Sequence, residues 1–203
     1  MTASSASSPG NGARRKVTLV TDGACIGNPG PGGWACILRY GDKMREIFGF
    51  DPNTTNNRME MMAAIQGLAA LKSPCDVGAV TDSEYLLRGA TRGLRLWKRR
   101  GWWRRLRRPL PNADLWVELD YYLGIHAVSW SWTRGHTGHP DNDRCDWLAT
   151  TAAKNQTSSW DDRHPHAPMH FNYGRAWIPP HPQTGLFDLE PDGDVEEEDD
   201  SAE

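Results

Sequence analysis

The stretch Lys16–Ala35, KVTLVTDGACIGNPGPGGWA, sets the fold. Its first half places Val17, Leu19 and Thr21 on one side and Thr18, Val20 and Asp22 on the other. That alternation, rich in β-branched residues, predicts a strand that closes on the carboxylate of Asp22. The second half is dense in glycine and proline and predicts a turn whose backbone N–H groups stay uncovered.

Working outward, GGWACILRY (32–40) and KMREIFGF (43–50) predict two more strands in a meander. TTNNRMEMMAAIQGLAALK (54–72) opens on capping residues and continues in strong helix formers, so it predicts a helix. DVGAVTDSEY (76–85) predicts a buried strand ending at Asp82 and then a helix start. Tyr85–Trp103 reads as mostly helical, with a break near Gly93. NADLWVELDYYLG (112–124) predicts a helix capped by Asn112, HAVSWSWTRGH (126–136) a strand, and DNDRCDWLATTAAKN (141–155) the last helix. Strands in series, then strands alternating with helices, imply a mixed sheet with helices packed on it: one α/β domain.

The flanks differ from this body. Residues 1–13, small and polar, read as a flexible leader rather than a secretory signal. Residues 158–203, rich in proline and histidine and ending in acids, read as a mostly disordered tail. That tail holds twelve acidic and two basic residues, whereas residues 1–157 hold twenty-one basic and fourteen acidic ones, so a net charge of −3 hides a basic body. Such a body points to a polyanionic partner. No apolar run approaches the ~20 residues of a membrane span. Four widely spaced cysteines without a CxxC pair argue against a zinc site or a disulfide framework and for reduced thiols in a cytoplasm.

Four carboxylates stand out. Asp22 and Asp82 close strands, Glu60 lies early in the first long helix, and Asp146 lies in the last one. Strand ends and neighbouring helices can bring them together, and a cation must then offset their repulsion. Oxygen ligands alone favour Mg²⁺ or Mn²⁺. Two such ions roughly 3.5–4 Å apart could clamp the attacking and leaving oxygens of a phosphoryl displacement. Taken singly, each carboxylate reads more readily as a solvated charge or a cap.

Six segments, TDGACIGNPGPGGWACILRY, TTNNRMEMMAAIQGLAALK, TDSEY, WKRRGW, NADLW and RGHTGHPDNDRCDWLA, resemble type 1 ribonuclease H of the bacterial form in order and spacing, over residues 16–157. The resemblance implies a ribonuclease H-like fold, a five-stranded mixed sheet with flanking helices. It places the catalytic domain at residues 14–157. It implies an endonuclease that hydrolyses the RNA strand of RNA–DNA hybrids, leaving 5′-phosphate and 3′-hydroxyl ends, with two Mg²⁺ ions that Mn²⁺ can replace. Asp22 would bridge both ions, Glu60 and Asp82 would ligate, and Asp146 would complete the site. His136 corresponds to the family's mobile histidine, which serves the leaving group or product release; a flexible glycine-flanked histidine suits a proton carrier. His139 has the weaker claim.

For the substrate, ten basic residues and no acid lie between Tyr85 and Ala113, interleaved with Trp97, Trp102 and Trp103. A basic helix can be simply a soluble face, but interleaved tryptophan favours nucleic acid. Trp97, Lys98, Arg99, Arg100 and Trp102 resemble the basic protrusion that grips the DNA strand. Cys25, Gly27, Asn28, Asn56 and Asn57 are candidates for sensing the 2′-hydroxyls of the RNA strand, and the resemblance makes Thr55 a phosphate contact. The chain departs from the pattern at Gly93, where many relatives carry tryptophan, and at Glu84, where glutamine is common. In the tail, QTGLF resembles a sliding-clamp docking peptide, with Gln183 making polar contacts and Leu186 and Phe187 filling an apolar pocket; short patterns also arise by chance. Two other readings are a hybrid-binding module without turnover and a DNA nuclease of the wider superfamily. A monomer is expected.

Overall fold

The computed structural model describes residues 14–104, 108–135 and 139–159. They form a five-stranded mixed sheet in the order β3-β2-β1-β4-β5. Strands β1 (Arg15–Cys25), β2 (Gly30–Tyr40) and β3 (Lys43–Thr54) make the antiparallel meander. Strands β4 (Cys75–Thr81) and β5 (Ala127–Trp132) extend it in parallel from the other side of β1.

Helix α1 (Asn56–Ala69) is buried without interruption from Met59 to Leu68. Enclosed on every side, α1 lies between the sheet and α4 (Ala113–Ile125). The main core joins Leu19, Cys36 and Ile47 of the sheet to Met61, Ile65 and Leu68 of α1 and Leu115, Trp116 and Leu119 of α4. The opposite face of the sheet is covered by α5 (Pro140–Asn155), where Cys145, Leu148 and Ala149 pack on Val20, Ala35 and Ile37. Two bidentate ion pairs fasten the start of α5 to that face, Arg39 with Asp141 at 2.6 Å and Arg144 with Glu46 at 2.8 Å.

Between β4 and α4 the chain runs through α2 (Glu84–Arg88), a π-helical turn (Gly89–Gly93) and α3 (Leu94–Arg99). The expected break near Gly93 is this widened turn. The helix ends earlier than Trp103, because Gly101 and Trp102 take left-handed φ values of 61° and 68°.

Two further expectations change. The glycine-rich segment is mostly strand: Gly23, Ala24 and Cys25 continue β1 and Gly30–Gly33 open β2, so the turn shrinks to residues 26–29. Packing explains the glycines, since a Cβ on Gly33 would strike the backbone of α5 at Ala149 and Ala153. Asn112 stands before α4 but does not cap it. Its φ of 56° is left-handed, and its side chain accepts from Arg58 and donates to the Tyr85 hydroxyl instead.

Candidate active site

The parallel pairing of β1 with β4 ends at Thr21 and Thr81. Beyond that point β1 continues, paired only with β2, while the β4 chain turns away into α2. Asp22 is therefore inside β1, paired with Ala35, rather than at its end. Asp82 is the first residue past β4. The carboxyl ends of parallel strands where neighbouring chains diverge form the usual crevice of an α/β sheet.

Glu60 reaches this crevice because β1 and α1 nearly touch. A Cβ on Gly23 would collide with the backbone of Glu60 and Met59. The glycine lets the helix settle one turn from its start directly beside Asp22. Carboxylate oxygens of Asp22, Glu60 and Asp82 lie within 4.8 Å of one another. Asp146, on α5, is not in that tight group, but its charge acts on Asp22; Thr150 donates to it at 3.4 Å.

The electrostatics follow from burial and like charge. Asp22 is pushed up to about 8, first by burial and then by the charges of Asp82 and Asp146, against a 2.7 Å hydrogen bond from the Gly23 N–H. Glu60 is raised well above the ordinary carboxylate range, again first by burial and then by Asp22 and Asp82; hydrogen bonds from the Gly23 N–H and the Asn56 side chain oppose the rise. Two buried carboxylate oxygens in the group, Glu60 Oε2 and Asp82 Oδ1, have no hydrogen-bond partner. Orphaned buried acceptors of one sign call for protons or a cation. The donor set, all carboxylate oxygen, fits a hard divalent ion such as Mg²⁺.

Asp82 is held through its surroundings. Thr133 N–H donates to the Thr81 carbonyl at 3.0 Å, Ser83 N–H to Thr81 Oγ1 at 3.1 Å, and the Trp132 indole to the Asp82 carbonyl at 3.1 Å. Gly135 passes so close that a Cβ there would lie 2.7 Å from Asp82 Oδ2. The segment entering residue 136 thus runs against the carboxylate group; His136 itself lies outside the described residues, as do Gln183, Leu186 and Phe187. His139 caps α5, its Nδ1 accepting from the Asn142 N–H at 3.3 Å. Gly23, Trp132 and Gly135 were not singled out from the sequence. A small residue directly after a strand carboxylate is the one signal that could have marked Gly23.

Around this group the remaining candidates fall in two places. Cys25, Gly27 and Asn28 form one rim with Thr55, Asn56 and Asn57, joined where Asn28 Oδ1 accepts from the Asn56 N–H at 3.2 Å. Thr55 stands at the N-cap of α1 without a capping side-chain bond, and Asn57 is exposed. Trp97, Lys98, Arg99, Arg100 and Trp102 lie apart, along α3 and just past it. There the tryptophans serve the core more than the sequence implied: Trp103 is buried, and Trp97 and Trp102 are half-buried against the main cluster. Lys98 pairs with Asp120 at 2.7 Å, and Glu84 turns outward to Arg88 at 2.9 Å instead of toward Asp82.

Residues 14–154 match the family model for RNase H. A curated relative, the ribonuclease H of Solibacter usitatus (strain Ellin6076), is 53% identical over 145 residues, covering 71% of this chain and 99% of the relative. The crystal structure of LC9-RNase H1, a type 1 RNase H with the type 2 active-site motif, superposes with a TM-score of 0.67 at 34% identity, over 74% of this chain and 77% of that one. LC11-RNase H1, solved in complex with an RNA/DNA hybrid, matches in fold with a TM-score of 0.54 at 19% identity, over 68% of this chain and 97% of the other. With the family model spanning the sheet, its helices and the carboxylate crevice, the chain belongs to the ribonuclease H family.

Proposed function

We propose that this protein is an endonuclease that hydrolyses the RNA strand of RNA–DNA hybrids, leaving 5′-phosphate and 3′-hydroxyl ends. The observation that carries the reading is the convergence of Asp22, Glu60 and Asp82 within 4.8 Å, two of their oxygens orphaned, in a chain of this family.

Asp22, Glu60 and Asp82, with Asp146 beside Asp22, are the residues that would hold Mg²⁺ or Mn²⁺. Bound there, a pair of divalent ions supplies a nucleophilic water and stabilises the departing oxyanion. Asp22, central and pinned in β1, would hold the ions from the middle of the group. Asn56 donates to Glu60 and steadies its carboxylate. His136, next in sequence to Gly135, carries the proton to the leaving group. The rim of Cys25, Gly27, Asn28, Thr55, Asn56 and Asn57 reads the hybrid: polar side chains and uncovered backbone suit ribose hydroxyls on one strand, with Thr55 on a phosphate of the other. Trp97, Lys98, Arg99, Arg100 and Trp102 hold the DNA strand through charge.

Residues 14–157 are the catalytic domain, the leader and tail being appended to it. The free thiols of Cys25, Cys36, Cys75 and Cys145 fit work in the cytoplasm. Gln183, Leu186 and Phe187 are a docking peptide for a bacterial sliding clamp, and a monomer suffices for all these roles. The test is cleavage of end-labelled hybrid, duplex RNA and duplex DNA side by side, with and without Mg²⁺. Hybrid alone should be cut, only with the ion, and Asp22→Asn should bind hybrid without cutting it. Cleavage of duplex DNA, or turnover in chelator, would overturn the reading.

A further inference from the structure

The outward side of the segment from α2 to α3 carries a row of guanidinium groups. Arg92, Arg95 and Arg99 are exposed, spaced so that they share one helix face, while Leu94 is buried. Arg88 is paired with Glu84 and Lys98 with Asp120. Arg92, Arg95 and Arg99 form no ion pair among the described residues, and no acid occurs in sequence anywhere between Tyr85 and Ala113. Like charges at these spacings repel, so the row is a surface that favours a flexible anion.

The sequence supplies one. Residues 188–203, DLEPDGDVEEEDDSAE, hold ten carboxylates and no basic residue, against ten basic side chains from Arg88 to Arg108. The reach is sufficient. The last described residue, Ser159, sits at the outer edge of β3, where its N–H donates to the Phe48 carbonyl at 3.0 Å. About 30 residues separate it from Asp188; a chain of that length can extend to about 100 Å, and a folded domain of this size is only about 40 Å across. Tethering raises the local concentration of the acidic segment to the millimolar range, enough for a weak charge-driven contact to be occupied.

We propose that Arg92, Arg95 and Arg99 form a docking surface for this chain's own acidic segment, residues 188–203. The segment occupies the row when no nucleic acid is bound. An incoming polyanion competes with it for the same row. The contact needs no assumption about the reaction at the carboxylate group, and its test involves no substrate.

A fluorescent peptide of residues 188–203 is titrated, with anisotropy as the readout, into the full-length protein whose ten tail acids are changed to Asn and Gln. Saturable binding is expected at about 50 mM salt, weakening about tenfold by about 200 mM. Adding Arg92→Gln, Arg95→Gln and Arg99→Gln should weaken it at least about fivefold. Lys43→Gln with Arg45→Gln, exposed residues on the β2–β3 hairpin, should leave it unchanged. The protein with its native tail should bind the peptide at least about fivefold more weakly, its own segment being in place. Absence of binding at low salt, an equal loss from the hairpin pair, or no protection by the native tail would each overturn the proposal.

Discussion

The indole of Trp97 lies on Gly93, its six-membered ring filling the space that any side chain at position 93 would enter. The same ring packs on Trp116 with centroids 5.0 Å apart, and Trp116 in turn lies on Gly89. The glycines at both ends of the π-helical turn are thus seats for aromatic rings, and Gly93, with an ordinary φ of −77°, is needed for space rather than for backbone freedom. Gly93→Ala should displace Trp97 and cost about 1–3 kcal/mol. Urea unfolding should show a lower midpoint with an unchanged slope.

Gly23 sits under the same kind of constraint, but against backbone. A methyl group there meets the main chain of Met59 and Glu60, which cannot swing aside as a side chain can. Gly23→Ala should cost about 3 kcal/mol by driving α1 from β1. Because Glu60 moves with the helix, divalent-ion affinity measured by calorimetry should fall at least about tenfold, from loss of one charged ligand's geometry.

The raised carboxyl of Asp22 makes the ion-free protein sensitive to alkali. Its folded value of about 8 lies above the unfolded 3.8, so across that window the folded state holds the extra proton. Stability therefore falls as pH rises from about 4 to about 8, by on the order of 6 kcal/mol. Thermal unfolding in chelator should show this slope. Asp22→Asn should flatten it and raise Tm at pH 8, and added Mg²⁺ should raise Tm in the parent protein far more than in the variant.

A second titration acts in the opposite direction. His126 is buried beside the start of β4; its Nδ1 accepts from the Cys75 N–H at 3.2 Å, and the ring donates to the Leu68 carbonyl. Burial lowers its value below the usual 6.5, so the unfolded chain takes up the proton first and stability is lost as pH falls below about 6.5. His126→Ala leaves the Cys75 N–H without its acceptor and should cost about 2–4 kcal/mol at pH 7.5. The acid slope between pH 6.5 and 5 should shrink with it in a series of melts.

The helix-against-sheet architecture was legible because α1 is a long run of helix formers behind capping residues and the strands carry β-branched residues and are bounded by turn residues. Asp82 and Glu60 were legible as a strand-end and an early-helix acid, whereas Asp22 lies within β1 rather than at its end. What escaped depends on contacts between distant segments. The glycines of Gly23–Gly33 read as turn residues, yet most are strand residues trimmed so that α1 and α5 can approach. Asn112 has the composition of a cap, but Arg58 and Tyr85 claim its side chain. Trp103 reads as part of a nucleic-acid face because it lies among arginines, and only the folded chain shows it turned into the core. The Trp132 bond to the Asp82 carbonyl joins residues fifty apart and leaves no trace in local pattern.

The parting of β1 from β4 after Thr21 and Thr81 divides the crevice into a stiff half and a compliant one. Asp22 is locked by its ladder to Ala35, and Glu60 by a helix buried along ten residues. Asp82 hangs from a bend secured by an indole, a hydroxyl and a passing glycine. Cations of unequal radius would accordingly be fitted by adjusting the Asp82 bend alone, so tolerance toward one metal or another is a property that substitutions at Trp132 and Gly135 can retune while the sheet stays as it is.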